Sequence, residues 1–359
     1  MNKTKQPFTA KLICASSIIA LLIISLFMLS CSTGGNERHT LDLEFHKGIN
    51  GVEFDLQGIL PEVYEKTAFK VFVNVFNKGA YDVQPSSGFV NLNLEKDYMC
   101  ITDGFTCIDK NDVILPIMQI GPLAGRSVAN PAGEFLPLEY YVLAKEIDKQ
   151  SFEHTSIVAL NLCYKYQTEL ITDICLDPYY YEPALTDKPC NVKDLSFSNQ
   201  GAPLSIFKIE NKMLSDGKNK VRPMFIIYIR NSGNGEVINQ NYLNEVCTAA
   251  PLPSDAFNLA HLKSIELMNG KYKFDVTSQQ NTLECDFMYD TLPSPENLAQ
   301  LNEGAVKNTA VRLKNNEGKI KCVAKEPIGE ETGTISTQIK VVFYYGYLAT
   351  ESTLLLLNA

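Results

Sequence analysis

Ten cysteines and four histidines are the residues with the most chemistry to offer in this chain, and their spacing separates the possible uses. Cys14 lies inside an apolar run and Cys31 closes it. The remaining eight are Cys100, Cys107, Cys163, Cys175, Cys190, Cys247, Cys285 and Cys322. An even set in the body of a chain is what a disulfide framework in an oxidising compartment requires. Zinc would need CxxC-like or histidine-containing clusters. No CxxC occurs, and His39, His46, His154 and His261 are scattered, none of them clustered with a cysteine pair. Disulfides are therefore expected rather than a metal site, and no cofactor is expected.

Spacing favours several pairings. Cys163 and Cys175 are equidistant from Glu169, so a hairpin turning there would place them on facing strands. Cys285 and Cys322 each sit in a strand-like run, and Cys100 with Cys107 would close a short loop. Cys190 with Cys247 is then what remains, and Cys175 with Cys190 is the competing choice.

Other chemistry is sparse. The sequence has no G-x-S-x-G, H-E-x-x-H, P-loop or G-x-G-x-x-G motif. Glu134 and Glu139 could be proposed as a glycosidase-like carboxylate pair, but acids on β-loops are usually solvated, and no enzymatic activity is expected. Asp103, Asp109, Asn111 and Asp112 are hard oxygen donors in one loop and form a weak calcium candidate, without EF-hand spacing. Tyr179, Tyr180 and Tyr181 are a candidate interface, since tyrosines offer contact area at low entropic cost. Packing between two domains is the plainer use for them.

The elements that must position these residues read as strands. Residues 69–76 (FKVFVNVF), 157–164 (IVALNLCY), 311–313 with 320–323, and 339–345 are rich in β-branched and aromatic side chains. Asn77-Lys78-Gly79 and Asn315-Asn316-Glu317-Gly318 carry the residues that supply positive φ in tight turns. Long amphipathic helices are missing from the pattern. The best short ones are 295–301, capped by Ser294, and 254–262.

The chain contains an internal repeat. FVNVFNKGAYDV (72–83) aligns with IIYIRNSGNGEV (226–237) at an offset of 154, with Asn77 on Asn231, Gly79 on Gly233 and Val83 on Val237. A second match places 157–175 on 337–355 at an offset of 180, with Tyr164 on Tyr344. The larger offset implies about 26 extra residues in the second copy, placed around 247–305.

The N-terminus sets the compartment. Lys3, Lys5 and Lys11 precede the apolar run at 12–30, and Cys31 follows Met28-Leu29-Ser30. A basic head, an apolar middle and a small-residue exit make an export signal. With cysteine at that place the segment resembles a lipoprotein signal, in which Cys31 is acylated. Met28 stands where a strict lipobox has leucine. An uncleaved anchor is the alternative, since the run approaches the length of a membrane-spanning helix. In both cases the chain after Cys31 lies outside the cytoplasm.

The chain has 359 residues, 45% hydrophobic and 20% charged, with a net charge of −9 that argues against nucleic-acid binding. Without the first 31 residues, 29 basic groups face 41 acidic ones and the net charge is −12. Such a domain is held at an anionic membrane by its anchor rather than by a basic patch.

An apolar strand followed by N-x-G, repeated once in an exported chain, resembles the immunoglobulin-like, cell-adhesion-related repeats of bacterial and archaeal surface proteins. Cys175-Leu176-Asp177-Pro178 before the linker adds the look of an archaeal-type lipoprotein. The resemblance implies an all-β fold of two tandem immunoglobulin-like sandwiches after an N-terminal signal or anchor helix. The expected division is 1–31 signal or anchor, 32–45 tether, 46–182 first sandwich and 183–359 second sandwich. It also implies a non-enzymatic role in adhesion, spacing or docking to a protein or glycan partner. Solute or glycan binding beside an envelope transporter is the alternative.

Overall fold

The computed structural model describes residues 45–104, 106–108, 117–182, 188–248, 251–278, 280–287 and 309–359. The signal with Cys31, nearly all of the tether, Asp109, Asn111, Asp112 and the helix expected at 295–301 lie outside the described residues.

The first half contributes β1 (Val52–Gln57), β2 (Glu62–Tyr64), β3 (Ala68–Asn77), β4 (Gly88–Leu94), β5 (Met99–Ile101), β6 (Ile117–Ile120), β7 (Phe135–Ala144) and β8 (Glu153–Leu176). The second half contributes β9 (Leu195–Ser196), β10 (Leu204–Ser215), β11 (Val221–Asn231), β12 (Glu236–Ile238), β13 (Leu259–Leu267), β14 (Tyr272–Asp275), β15 (Leu283–Asp286), β16 (Ala310–Arg312), β17 (Glu317–Ala324) and β18 (Ile335–Asn358). A single turn of 3-10 helix (Gln240–Tyr242) runs into a short helix, α1 (Leu243–Cys247), between β12 and β13.

Period-two burial explains why these segments are strands. In β3, Phe69, Val71, Val73 and Val75 point inward and alternate with exposed or half-buried neighbours. In β11, Val221, Phe225, Ile227 and Ile229 are buried in the same rhythm. The β-branched and aromatic content suits a pleated surface buried on one face.

The sheets repeat. β3 lies between β1 and β7, with β5 beyond; β11 lies between β10 and β17, with β15 beyond. A third, nine-stranded sheet runs β14-β13-β18-β8-β4-β6 and also takes in β2, β12 and β16. At its centre β8 and β18 pair antiparallel along all 24 residues, from Ile335 against Leu176 to Asn358 against Glu153. A hydrophobic core with residues from both halves lies among the three sheets. Asp42–Ala359 forms one compact unit, and the expected boundary at 182/183 is crossed by this ladder.

The hairpin expected at Glu169 is not formed. β8 continues through it because YKYQTELI contains no glycine, proline or asparagine to turn the chain. Its inward alternation (Ser156, Val158, Leu160, Leu162, Tyr164, Tyr166, Thr168, Leu170) is unbroken. Cys163 and Cys175 therefore stand about 40 Å apart on one strand and cannot pair. The helix expected at 254–262 is also replaced. Its second half is the start of β13, drawn into the sheet by pairing with both β16 and β18. The turn at Asn315-Asn316 is as expected, with φ of 52° and 66°. It carries the chain from β16, which pairs with β13, to β17, which pairs with β11 and β15.

Candidate functional site: a polar cleft beside a broken symmetry

Two-fold relation between the halves is written in hydrogen bonds. Tyr164 Oη accepts the Val52 N–H at 3.1 Å, and Tyr345 Oη accepts the Leu204 N–H at 3.3 Å. Tyr166 Oη accepts the Tyr81 N–H at 3.1 Å and donates to Asn77 Oδ1 at 3.0 Å. Tyr347 Oη accepts the Gly235 N–H at 2.7 Å and lies 3.5 Å from Asn231 Oδ1. Asn77 Nδ2 donates to Tyr81 O, and Asn231 Nδ2 donates to Gly235 O, each at 2.8 Å.

The repeat is thus real in three dimensions, with Tyr345 rather than Tyr344 as the counterpart of Tyr164. The offset is 181, one residue beyond the alignment. A one-residue slip exchanges the faces of a strand, and Tyr344 indeed sits on the outer face, where its hydroxyl contacts Lys263 Nζ. The approximate two-fold passes through the Lys165–Gly346 pair, flanked by the Tyr164–Tyr347 and Tyr166–Tyr345 pairs.

The N-x-G motifs owe their residues to this network. None of Asn77, Gly79, Asn231 and Gly233 has a positive φ, so the turn role expected of them is not the one they play. The asparagines satisfy buried backbone groups. The glycines lie so close to Tyr166 Oη and Tyr347 Oη that a Cβ at either position would collide with the hydroxyl.

The outer face of the central sheet breaks the symmetry. On one side of the two-fold the cross-strand pair is Cys163 with Leu348; on the other it is Tyr344 with Gln167. The first pair is sealed. Residues 239–258, which have no equivalent between β3 and β4, lay Leu243, Val246, Cys247 and Ala256 over Cys163, with Phe89 and Leu348 packed alongside. Asn91 Nδ2 donates to Cys247 O at 2.9 Å, and Cys163 is disulfide-bonded to Cys247. This cover lies before β13 and overlaps the first part of the 247–305 stretch expected for the extra residues.

The second pair is open. A cleft of about 420 Å³ is lined by Tyr344, Gln167, Lys165, Asp82, Gln84 and Gln240 among other residues. That size suits a small ligand. Asp82 Oδ1 accepts the Gly125 N–H at 2.8 Å, and Lys263 sits 4.5 Å from the centre of the Tyr344 ring. Among the described residues, the Lys165 ammonium has no ion pair and the three glutamine side chains have no hydrogen bonds.

The disulfides are Cys100–Cys107, Cys163–Cys247, Cys175–Cys190 and Cys285–Cys322. The pairs Cys163 with Cys175 and Cys190 with Cys247 are thereby replaced, and the competing Cys175–Cys190 pair is present. Four disulfides suggest an oxidising, extracytoplasmic environment. Among the described residues no helix is long and apolar enough to cross a membrane, and no group of three or more metal-ligating side chains occurs.

Among the described residues the other sequence candidates do not assemble into a centre. Asp103 Oδ1 lies 3.4 Å from Thr106 Oγ1, within its own loop. Glu134 Oε2 accepts the Ala124 N–H at 2.6 Å, while Glu139 pairs with Lys70. Tyr180 and Tyr181 are 45% and 58% exposed. Tyr181 Oη donates to Met213 O on β10 at 2.7 Å, and the Tyr180 ring meets the Tyr181 ring edge to face. Buried Asp177 fixes the start of the linker by accepting from Tyr179 N, Lys188 Nζ and Thr334 Oγ1. The cleft residues Lys165, Gln167 and Gln240 carry no sequence motif. Their meeting follows from register, which local pattern does not set.

His261 holds the cover in place through a 3.2 Å contact between Nε2 and Asn239 Oδ1. Burial pushes its pKa down to about 4. The folded state keeps it neutral, whereas the unfolded chain takes up a proton near pH 6.5. Its contribution to stability is therefore complete above pH 6.5 and is lost as the pH falls towards 4. Between pH 7 and 4.5 the expected loss is roughly 2 to 3 kcal/mol. Urea midpoints of the wild type and His261→Gln measure it, and the variant is expected to show a flatter pH dependence by that amount.

No family model and no curated protein matches the chain. Among solved structures, a DUF4466 family protein from Parabacteroides merdae is similar at 11% identity and a TM-score of 0.16, over 82% of this chain and 99% of its own. An enterococcal surface protein, partial N-terminal region, is similar at 7% identity and a TM-score of 0.15, over 84% of this chain and 89% of its own. Likeness at this level transfers neither fold nor function.

Proposed function

We propose that this chain is a non-enzymatic, extracytoplasmic surface protein, anchored at the membrane through Cys31, whose two interlocked immunoglobulin-like copies form a rigid scaffold for partner binding. The observation that carries the reading is the broken symmetry. Two halves that repeat one another's buried bonds differ on the outer face, where one side is sealed by a disulfide-pinned cover and the other keeps an open polar cleft. A scaffold used only as a spacer has no need of that difference.

The size of the cleft favours a second reading, capture of a small solute or glycan for an envelope transporter. Complementation separates the two. Cells lacking the protein are expected to lose surface attachment. Wild type restores it, and Gln167→Trp, which fills the cleft from the outer face, does not. Cys31→Ser is expected to release the chain into the medium. Intact attachment with a defect in solute uptake would favour the transporter reading, and retention of Cys31→Ser on the membrane would contradict the anchor.

A further inference from the structure

We infer that the cleft is a binding site for a carboxylate-bearing saccharide, one or two sugar units long; this rests on the surface-binding reading above. The exported part of the chain is strongly acidic, with 41 acidic residues in the whole sequence, so its long-range field repels anions. Against that field an exposed lysine with no ion pair among the described residues stands at the two-fold, on the open side. Of the nine strand lysines, Lys70, Lys208, Lys212, Lys321 and Lys340 each pair with a carboxylate, and Lys165 is the one without an ion pair that lines this cleft among the described residues. Lys165 is left with its charge available to a ligand.

The groups around it suit a sugar. Gln167 lies two residues along the same face, within about 7 Å of backbone, and Gln84 and Gln240 line the cleft from two other segments. A carboxamide offers a donor and an acceptor side by side, which matches neighbouring hydroxyls. Asp82 commits one oxygen to the Gly125 amide, and its other oxygen can accept a hydroxyl. The Tyr344 ring supplies apolar area, and Lys263 beside it adds a second positive charge. A peptide fits less well. Peptides in extended form are taken up along sheet edges, and this cleft lies over the central strands β8 and β18.

The full-length chain in detergent is titrated with a glucuronic acid-terminated disaccharide, sialyllactose, lactose and a glutamate-rich hexapeptide. At least one acidic sugar is expected to bind ten-fold or more tightly than lactose. Lys165→Gln is expected to lose that preference, Lys165→Arg to keep it, and Gln167→Leu, which copies the sealed side, to weaken binding ten-fold or more. Lys165 is exposed and its side chain bonds none of the described residues, so these variants leave the fold intact. Equal affinity for lactose, tighter binding of the peptide, no binding of either acidic sugar, or indifference to Lys165→Gln would each overturn the assignment. Attachment of cells that survives Lys165→Gln but not Gln167→Trp overturns the acidic-sugar assignment alone. Attachment that survives Gln167→Trp overturns the surface-binding reading itself.

Discussion

Replacing Cys163 and Cys247 together by alanine is expected to destabilise the fold by about 4 to 5 kcal/mol, more than loss of any other disulfide. The bond closes a loop with a sequence separation of 84, against 7, 15 and 37 for the others. Loop-closure entropy alone gives about 4.5 kcal/mol for that length and about 2.5 kcal/mol for Cys100–Cys107. The loss has a second part. Cys163 and Cys247 are both buried at the heart of the small outer core, so a cover set loose also exposes Phe89 and Leu348. The double variant is therefore expected to bind a hydrophobic dye under native conditions, and the Cys100→Ala/Cys107→Ala pair is not. Guanidinium unfolding at matched protein concentration gives the two free energies. Equal losses for the two pairs would show that the cover does not depend on its disulfide.

Asn77→Ala is expected to cost about 4 kcal/mol, and its counterpart Asn231→Ala about 1 to 2 kcal/mol. Asn77 is fully buried and uses both ends of its side chain. Nδ2 donates to Tyr81 O and Leu123 O, at 2.8 and 2.9 Å, and Oδ1 accepts from Tyr166 Oη and Gly79 N. Alanine would strand these groups where water has no access, and each unpaired buried group costs about 1 to 3 kcal/mol. Asn231 is half-buried, with one bond from Nδ2 to Gly235 O and two long contacts at Oδ1. Its partners can turn to solvent. Chemical denaturation of both variants tests the difference. Equal costs would mean that the two copies of the network share their load evenly.

These two expectations mark what was legible before the structure. Strand identity was legible where β-branched residues alternate, as in β3 and the first half of β8. So were two disulfides whose cysteines are either close in sequence or set in clear strands. The N-x-G repeat was legible as a repeat, but its chemistry was not. Asparagine and glycine signal turns through φ, whereas here they answer to a tyrosine hydroxyl that arrives from β8 or β18, far away in sequence.

The length of β8 and its pairing with β18 are contacts between the two halves, and nothing local in YKYQTEL announces its partner segment at 341–347. The register followed suit. Aligning Tyr164 with Tyr344 differs from the true match by one residue, yet that residue separates the buried face from the cleft. Cys163 and Cys247 could not be joined without knowing that residues 239–258 fold back over the outer face. The cleft was hidden for the same reason. Lys165, Gln167, Gln240 and Tyr344 become neighbours only once both halves share one sheet.

Two copies interlock through one long ladder, and the disulfide at Cys163 brings Cys247 onto β8. The most direct test is peptide mapping of the intact, non-reduced protein by mass spectrometry. Linked peptides are expected for Cys100–Cys107, Cys163–Cys247, Cys175–Cys190 and Cys285–Cys322. Linkage of Cys163 to Cys175 and of Cys190 to Cys247 would contradict the interlock, because that pattern requires β8 to fold back at Glu169 and the shared sheet to come apart.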